Sequence, residues 1–234
     1  MTGASLDLRA STVTGNEGNI VRAGALSMQL TGSIIANPAS GQNCAGTMTS
    51  SGFNVASDAT CGLVATGDQP NTDPQLGALA ANGGPTETQR PAPTSPAIDA
   101  IPAGTGTLCD GTFAVDQRGV ARPNGTGCDV GAVEYLSSVT VDDGGDTHDA
   151  APGDDVCADG NGACTLRAAI DEANAVAGPQ TITVEPSITA ITLALPGNNE
   201  NANASGDLDV TDETTIEGNG VTIDANGSVL HDRA

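Results

Sequence analysis

The chain has 234 residues, of which 38% are hydrophobic but only 1% aromatic, and it carries a formal charge of −22. So few aromatic rings exclude a thick globular core and point to a thin interior of small and β-branched side chains. Seven basic residues, all of them arginine, against 29 acidic ones exclude binding to nucleic acid through phosphates and attraction to an anionic membrane.

In chain order, residues 1–36 read as coils of short strands. Leu6, Leu8 and Val13 alternate with polar residues, and Met28, Leu30 and Ile35 repeat the pattern 22 residues later. A looser copy lies at 207–234, with Leu208, Val210, Ile216, Val221, Ile223 and Val229 as its apolar positions. Short alternating segments at a period of 20-odd residues, broken by Gly and Asn, predict a β-solenoid. A solenoid layer cannot bury its own faces and needs a neighbour above and below. Because the coil pattern runs up to both ends of the sequence, these apolar residues are expected to form open, self-assembling faces. Asn16, Asn37 and Asn219 fall where coils turn, where they can stack between layers or merely serve the turn.

Residues 37–135 form a loop-rich stretch holding Cys44, Cys61, Cys109 and Cys128. Cys157 and Cys164 follow at the end of a second loop. Six cysteines allow 15 connectivities. Neighbour pairing staples short loops that lack apolar residues, while a zinc site is disfavoured by two dispersed histidines and the absence of C-x-x-C. Disulfides imply an oxidising, extracytoplasmic location. With coil sequence directly after Met1 and no signal or spanning segment in view, the chain reads as a mature or excised piece.

Residues 136–206 begin with an Asp-rich, Gly-rich loop. Asp142, Asp143, Asp146, Asp149, Asp154 and Asp155 are a run of hard oxygen ligands suited to Ca²⁺, or else a solvated acidic loop; an EF-hand order is missing. The spacing then predicts a helix over Thr165–Ala177: Thr165 caps it, Leu166, Ala169, Ile170 and Ala173 share a face, and Gly178-Pro179 ends it. Strands are expected at Thr181–Val184 and Ile188–Leu193. The N-glycosylation triplets at Asn124, Asn203 and Asn226 are no more than such a composition yields by chance.

The segment from Cys157 through Cys164-Thr165-Leu166-Arg167-Ala168-Ala169-Ile170-Asp171-Glu172-Ala173-Asn174 resembles the N-terminal cap of bacterial right-handed parallel β-helix surface proteins. Asn82-Gly83-Gly84-Pro85-Thr86, Ser95-Pro96-Ala97-Ile98-Asp99-Ala100, Asp116-Gln117-Arg118-Gly119 and Cys128-Asp129-Val130-Gly131-Ala132 resemble the C-terminal module of the same family, the choice-of-anchor Q proteins. The resemblance implies an all-β, right-handed parallel β-helix with one short capping helix and a loop-rich, disulfide-stapled module, secreted and displayed on a cell surface. In the family the cap comes first and the module last. Here the order is reversed, as in a window on a tandem array, a subunit completed by its neighbour, or a circular permutant.

Polysaccharide lyases and hydrolases share this fold, but the chain has no lysine, its arginines are dispersed, and paired carboxylates are too common here to mark a site. Arg118 and Arg122 read as partners for local carboxylates such as Asp116 or Asp129. No catalytic residue or organic cofactor is therefore expected. The function read from the sequence is that of an extracellular structural subunit whose partner is itself, head to tail. The alternative is a monomeric adhesin or surface-glycan-binding module.

Overall fold

The computed structural model describes residues 5–21, 27–46, 48–197 and 201–226. They divide into two compact units, with the boundary between Tyr135 and Leu136. Apart from one helix the regular elements are strands, gathered in small sheets of two or three. The class is all-β.

The first unit contains β1 (Ser5–Arg9), β2 (Thr12–Thr14), β3 (Ile20–Val21), β4 (Ser27–Thr31), β5 (Ile34–Ala36), β6 (Cys44–Ala45), β7 (Thr49–Ser50), β8 (Val55–Ala56), β9 (Ile101–Pro102) and β10 (Gly127–Cys128). The sequence repeat is expressed as parallel pairing in register: Ser5 opposite Ser27, Leu8 opposite Leu30, Val13 opposite Ile35. The sheets run β1-β4-β7, β2-β5-β8 and β3-β6. Alternation then decides which side chains are buried. Met28, Leu30, Ile35 and Ala56 join Ile20, Cys44, Met48, Cys61 and Leu63 in one apolar cluster, with Leu8 and Val13 packed at its margin.

The sheet β2-β5-β8 is covered on its other face as well. Ile34, Ala36 and Val55 pack against Ala97, Ile101, Leu108, Cys109, Cys128 and Val130 of the loop-rich segment. Gly131 permits the close approach: its φ is +101°, and a Cβ there would stand 2.8 Å from both Ile34 Cδ1 and Thr12 Oγ1. Gly131 N also donates to Gly32 O at 2.9 Å.

Two polar columns join the layers. Asn19 donates from Nδ2 to Asn43 Oδ1 at 2.9 Å, and Asn43 donates from Nδ2 to Ser57 Oγ at 2.9 Å. Buried Asn54 accepts from Ser33 N and donates to the carbonyls of Leu30 and Gly52. Of Asn16, Asn37 and Asn219, read as stacking between layers or serving turns, Asn219 does reach the adjacent strand, its Nδ2 donating to Val184 O at 2.8 Å. Asn37 and Asn219 sit at positive φ, +49° and +48°, where a short polar side chain is tolerated for the turn itself. Asn16 bonds to Thr14 O and Asn19 within its own layer.

The second unit contains β11 (Ser138–Val141), α1 (Leu166–Ala175), β12 (Gln180–Val184), β13 (Ala190–Thr192), β14 (Thr214–Glu217) and β15 (Thr222–Asp224). Its sheets, β11-β12-β14 and β13-β15, are again parallel, with Val139 opposite Ile182, Ile182 opposite Ile216, and Ile191 opposite Ile223. Thr165 caps α1 as the sequence predicts, its Oγ1 accepting from Ala168 N, and the buried face includes Leu166, Ala169, Ile170 and Ala173. The strand expected at Ile188–Leu193 is shorter, and the coil expected at Leu208-Asp209-Val210 is no strand. There the backbone is satisfied by asparagines: Asn174 Nδ2 donates to Asp209 O, Asp209 N donates to Asn203 Oδ1, and Thr211 N donates to Asn174 Oδ1.

Candidate functional site

The free edges of the small sheets follow from their order. Among the described residues β1 pairs only with β4, β2 only with β5, β14 only with β12 and β15 only with β13. The alternation that buries a residue one layer in leaves its counterpart at the edge uncovered. Leu6 is 45% exposed where its neighbour Met28 is 6%; Ile216 is 41% exposed over Ile182 at 0%; Ile223 is 45% exposed over Ile191 at 0%. Val210 is also exposed, while Leu8, Val13, Leu208 and Val221 are half-buried. Val229 lies outside the described residues.

A cleft of about 510 Å³ lies beside β2. Thr12, Thr14 and Asn16 line one side, and Leu79, Glu87, Gln89, Gln117 and Val133 the other. The Thr14 hydroxyl bonds to Gln89 Oε1 across it. Nothing in the sequence pattern marks Leu79 or Gln89, and Gln117 stands out only within Asp116-Gln117-Arg118-Gly119; all three line the cleft beside β2 through folding of the loop-rich segment. The one legible sign was the break from Ile34 and Ala36 to Thr12 and Thr14 at matching positions.

The loop-rich segment is held by buried ion pairs. Arg118 Nη2 meets Asp116 Oδ2 at 2.8 Å, and Arg122 Nε meets Glu134 Oε1 at 2.6 Å. The partner of Arg122 is therefore Glu134, and Asp129 offers it only a backbone carbonyl. The Asp129 carboxylate accepts instead from Asp99 N and Tyr135 N at 2.8 and 2.6 Å. Burial, reinforced by the charge of Glu134, pushes the Asp129 carboxyl up to about 8. Glu134 is likewise raised by burial, against the pull of Arg122.

Four of the carboxylates expected as Ca²⁺ ligands accept from backbone N–H groups of the loop itself. Asp142 Oδ1 accepts from Cys164 N, Asp143 Oδ1 from Gly145 N, Asp149 from Ala151 N and Ala158 N, and Asp154 Oδ1 from Val156 N. Asp155 donates its N–H to Glu172 Oε1 at 2.6 Å, and Gly153 N donates to Glu172 Oε2 at 2.5 Å, so the helix clamps the loop. Burial pushes the Glu172 carboxyl up to about 7 despite those two donors. Asp146 binds Arg167. Among the described residues no three His, Cys, Asp or Glu side chains are grouped as a metal ion requires.

Three disulfides join Cys44 to Cys61, Cys109 to Cys128 and Cys157 to Cys164, the neighbour pairing read from the sequence, and no cysteine is free. Bonds of this kind form and persist in oxidising compartments. Asn203, within one of the N-glycosylation triplets, is fully buried against Arg167. Among the described residues no helix is long and apolar enough to cross a membrane. No known protein family, curated protein or solved structure matches this chain.

Proposed function

We propose that the chain is an extracellular structural subunit: a right-handed parallel β-helix, of the bacterial surface type its cap and module resemble, that assembles end to end by stacking its open layers. The observation that carries this reading is the exposure of Leu6, Ile216 and Ile223 beside buried residues at the same column positions one layer in. An edge with uncovered apolar side chains is a template for another strand, and many proteins blunt such edges with lysine or proline. This chain has no lysine at all, and β1, β2, β14 and β15 contain no proline. A head-to-tail contact between unlike faces does not close on itself unless the geometry makes a ring, so filaments are its natural product. The three disulfides support an extracellular setting.

Sedimentation velocity over a concentration series, with negative-stain microscopy of the same samples, tests the proposal. Polymers should form and should be abolished by Leu6→Lys or Ile223→Lys, each of which places a charge in the contact. Compact monomers at every concentration would reject it.

A further inference from the structure

The cleft beside β2 gains its meaning from how the next strands of that sheet are packed. β5 and β8 turn Ile34, Ala36 and Val55 outward, and the loop-rich segment covers all three. β2 repeats the alternation, with Val13 against the inner cluster and Thr12 and Thr14 turned outward. The covering wall continues past β2. Leu79, Gln89 and Gln117 line the 510 Å³ cleft together with Thr12 and Thr14, and Gln89 meets the Thr14 hydroxyl directly. The cleft thus prolongs a seam that, one layer deeper, is filled by strand side chains.

Its floor is the free edge of β2. Ser11 O and Gly15 N are taken by Ile34 N and Asn37 O on the β5 side, so strand alternation turns the peptide groups of Thr12 and Thr14 to the open side. A strand laid there would gain main-chain hydrogen bonds from the edge and selectivity from the cleft, the usual division of labour in strand addition. Such a strand needs one apolar residue to sit on Val13, flanked by short polar residues that enter among the hydroxyls of Thr12 and Thr14 and the amides of Gln89 and Gln117.

β15 has that pattern. Thr222, Ile223 and Asp224 are all exposed, and the strand lies at the edge of its sheet. A second agreement is independent of the cleft. Ile216 precedes Ile223 by seven residues, as Leu6 precedes Val13, so one register seats both exposed isoleucines on the opposite layer.

We infer that the cleft is a strand-docking slot occupied by β15 of a second copy of this chain, parallel to β2, with Ile223 on Val13 and with Thr222 and Asp224 turned into the cleft. The inference rests on the stacking function proposed above and adds its place and register.

Cysteine cross-linking reads the register directly, because all native cysteines are already paired. Neighbouring strands lie about 4.8 Å apart, within the Cα separation a disulfide spans. Val13→Cys protein is mixed with Ile223→Cys protein and oxidised, so any heterodimer is intermolecular by construction. A second pair, Thr14→Cys with Asp224→Cys, leaves the apolar cluster untouched. Both pairs should give heterodimer on non-reducing gels at about ten times the yield of Val64→Cys mixed with Ile223→Cys, Val64 being 92% exposed and outside the cleft. Leu79→Glu, at the exposed rim, should cut that yield about tenfold without moving the melting temperature of the monomer. Unmutated protein that polymerises while neither pair exceeds the control overturns this register but leaves stacking intact. Unmutated protein that never polymerises overturns the stacking reading itself.

Discussion

Arg167 donates from Nε to Asp146 Oδ1 across 2.6 Å, with both side chains fully sealed from solvent. Neither charge has water to fall back on, so every remaining donor and acceptor must be met within the protein. The guanidinium donates further to the carbonyls of Asn203, Gly206 and Asp207, and Asp146 Oδ2 accepts from Ala194 N and Leu195 N. One ion pair thereby ties helix α1, the acidic loop and the 194–207 connection together. Burial alone would raise the Asp146 carboxyl, but Arg167 and the two N–H groups outweigh it and hold it below the ordinary value.

Asp146→Ala should therefore destabilise the second unit by about 3–5 kcal/mol, the cost of stranding a buried guanidinium. Chemical denaturation followed by hydrogen exchange of 136–226 measures it. Amides of 5–135 should keep their protection, since the hydrogen-bond partners of the pair all belong to the second unit.

Acid should stabilise the protein over much of its range. The folded values of Asp129 and Glu172 are raised, to about 8 and about 7, so the native state holds protons that the unfolded chain releases. Their contribution is complete below the unfolded carboxylate value, near 4, and is lost as pH rises through 7 to 8. Asp146 is shifted the other way, and its contribution is lost only as pH falls below about 4. The melting temperature should peak near pH 4–5 and fall steadily toward pH 8.5. Glu172→Gln should flatten the part of that slope between pH 5 and 7; an unchanged slope would remove Glu172 from the account.

The layer-joining asparagine column gives a third expectation. Asn43→Ala removes the acceptor of Asn19 and the donor to Ser57 at a fully buried position, which should cost about 1–3 kcal/mol. Asn16→Ala, at an exposed residue whose side chain bonds to Thr14 O and Asn19 in its own turn, should cost well under 1 kcal/mol. Equal losses in urea titration would contradict the placement of the column at Asn19, Asn43 and Ser57.

Disulfide removal should rank by loop length. The pairs Cys44–Cys61 and Cys109–Cys128 close separations of 17 and 19 residues, and Cys157–Cys164 closes 7. Replacing both members by alanine should cost about 3 kcal/mol for either long loop and about 2 kcal/mol for the short one on the chain-entropy account. Denaturant midpoints of the three double variants check the order.

Salt should promote assembly. Two copies of a chain with charge −22 repel at long range, and the proposed apolar contact at Leu6, Ile216 and Ile223 would act only at short range. Raising the ionic strength from about 0.01 to about 0.15 M shortens the screening length from about 30 to about 8 Å. Light scattering at fixed protein concentration should rise with added NaCl, and a fall would mean that the contact is held by opposite charges instead.

The sequence by itself determined what depends on local order along the chain. Leu6, Leu8 and Val13 recurring as Met28, Leu30 and Ile35 dictated parallel strands in that register, because period-2 alternation leaves only one choice of buried face. Thr165 and the spacing of Leu166, Ala169, Ile170 and Ala173 dictated the helix, and proximity along the chain dictated the cysteine pairs. Tertiary structure alone decided what the polar residues do. The aspartates of the acidic loop accept from N–H groups of their own segment, and the packing of Glu172 and Arg167 against the loop fixes that arrangement. The cleft beside β2 likewise joins Thr12 to Gln89 and Gln117, residues more than 70 positions apart, whose meeting no periodicity encodes. Alternation is written residue by residue, whereas a hydrogen-bond partner is fixed only when distant segments have come together.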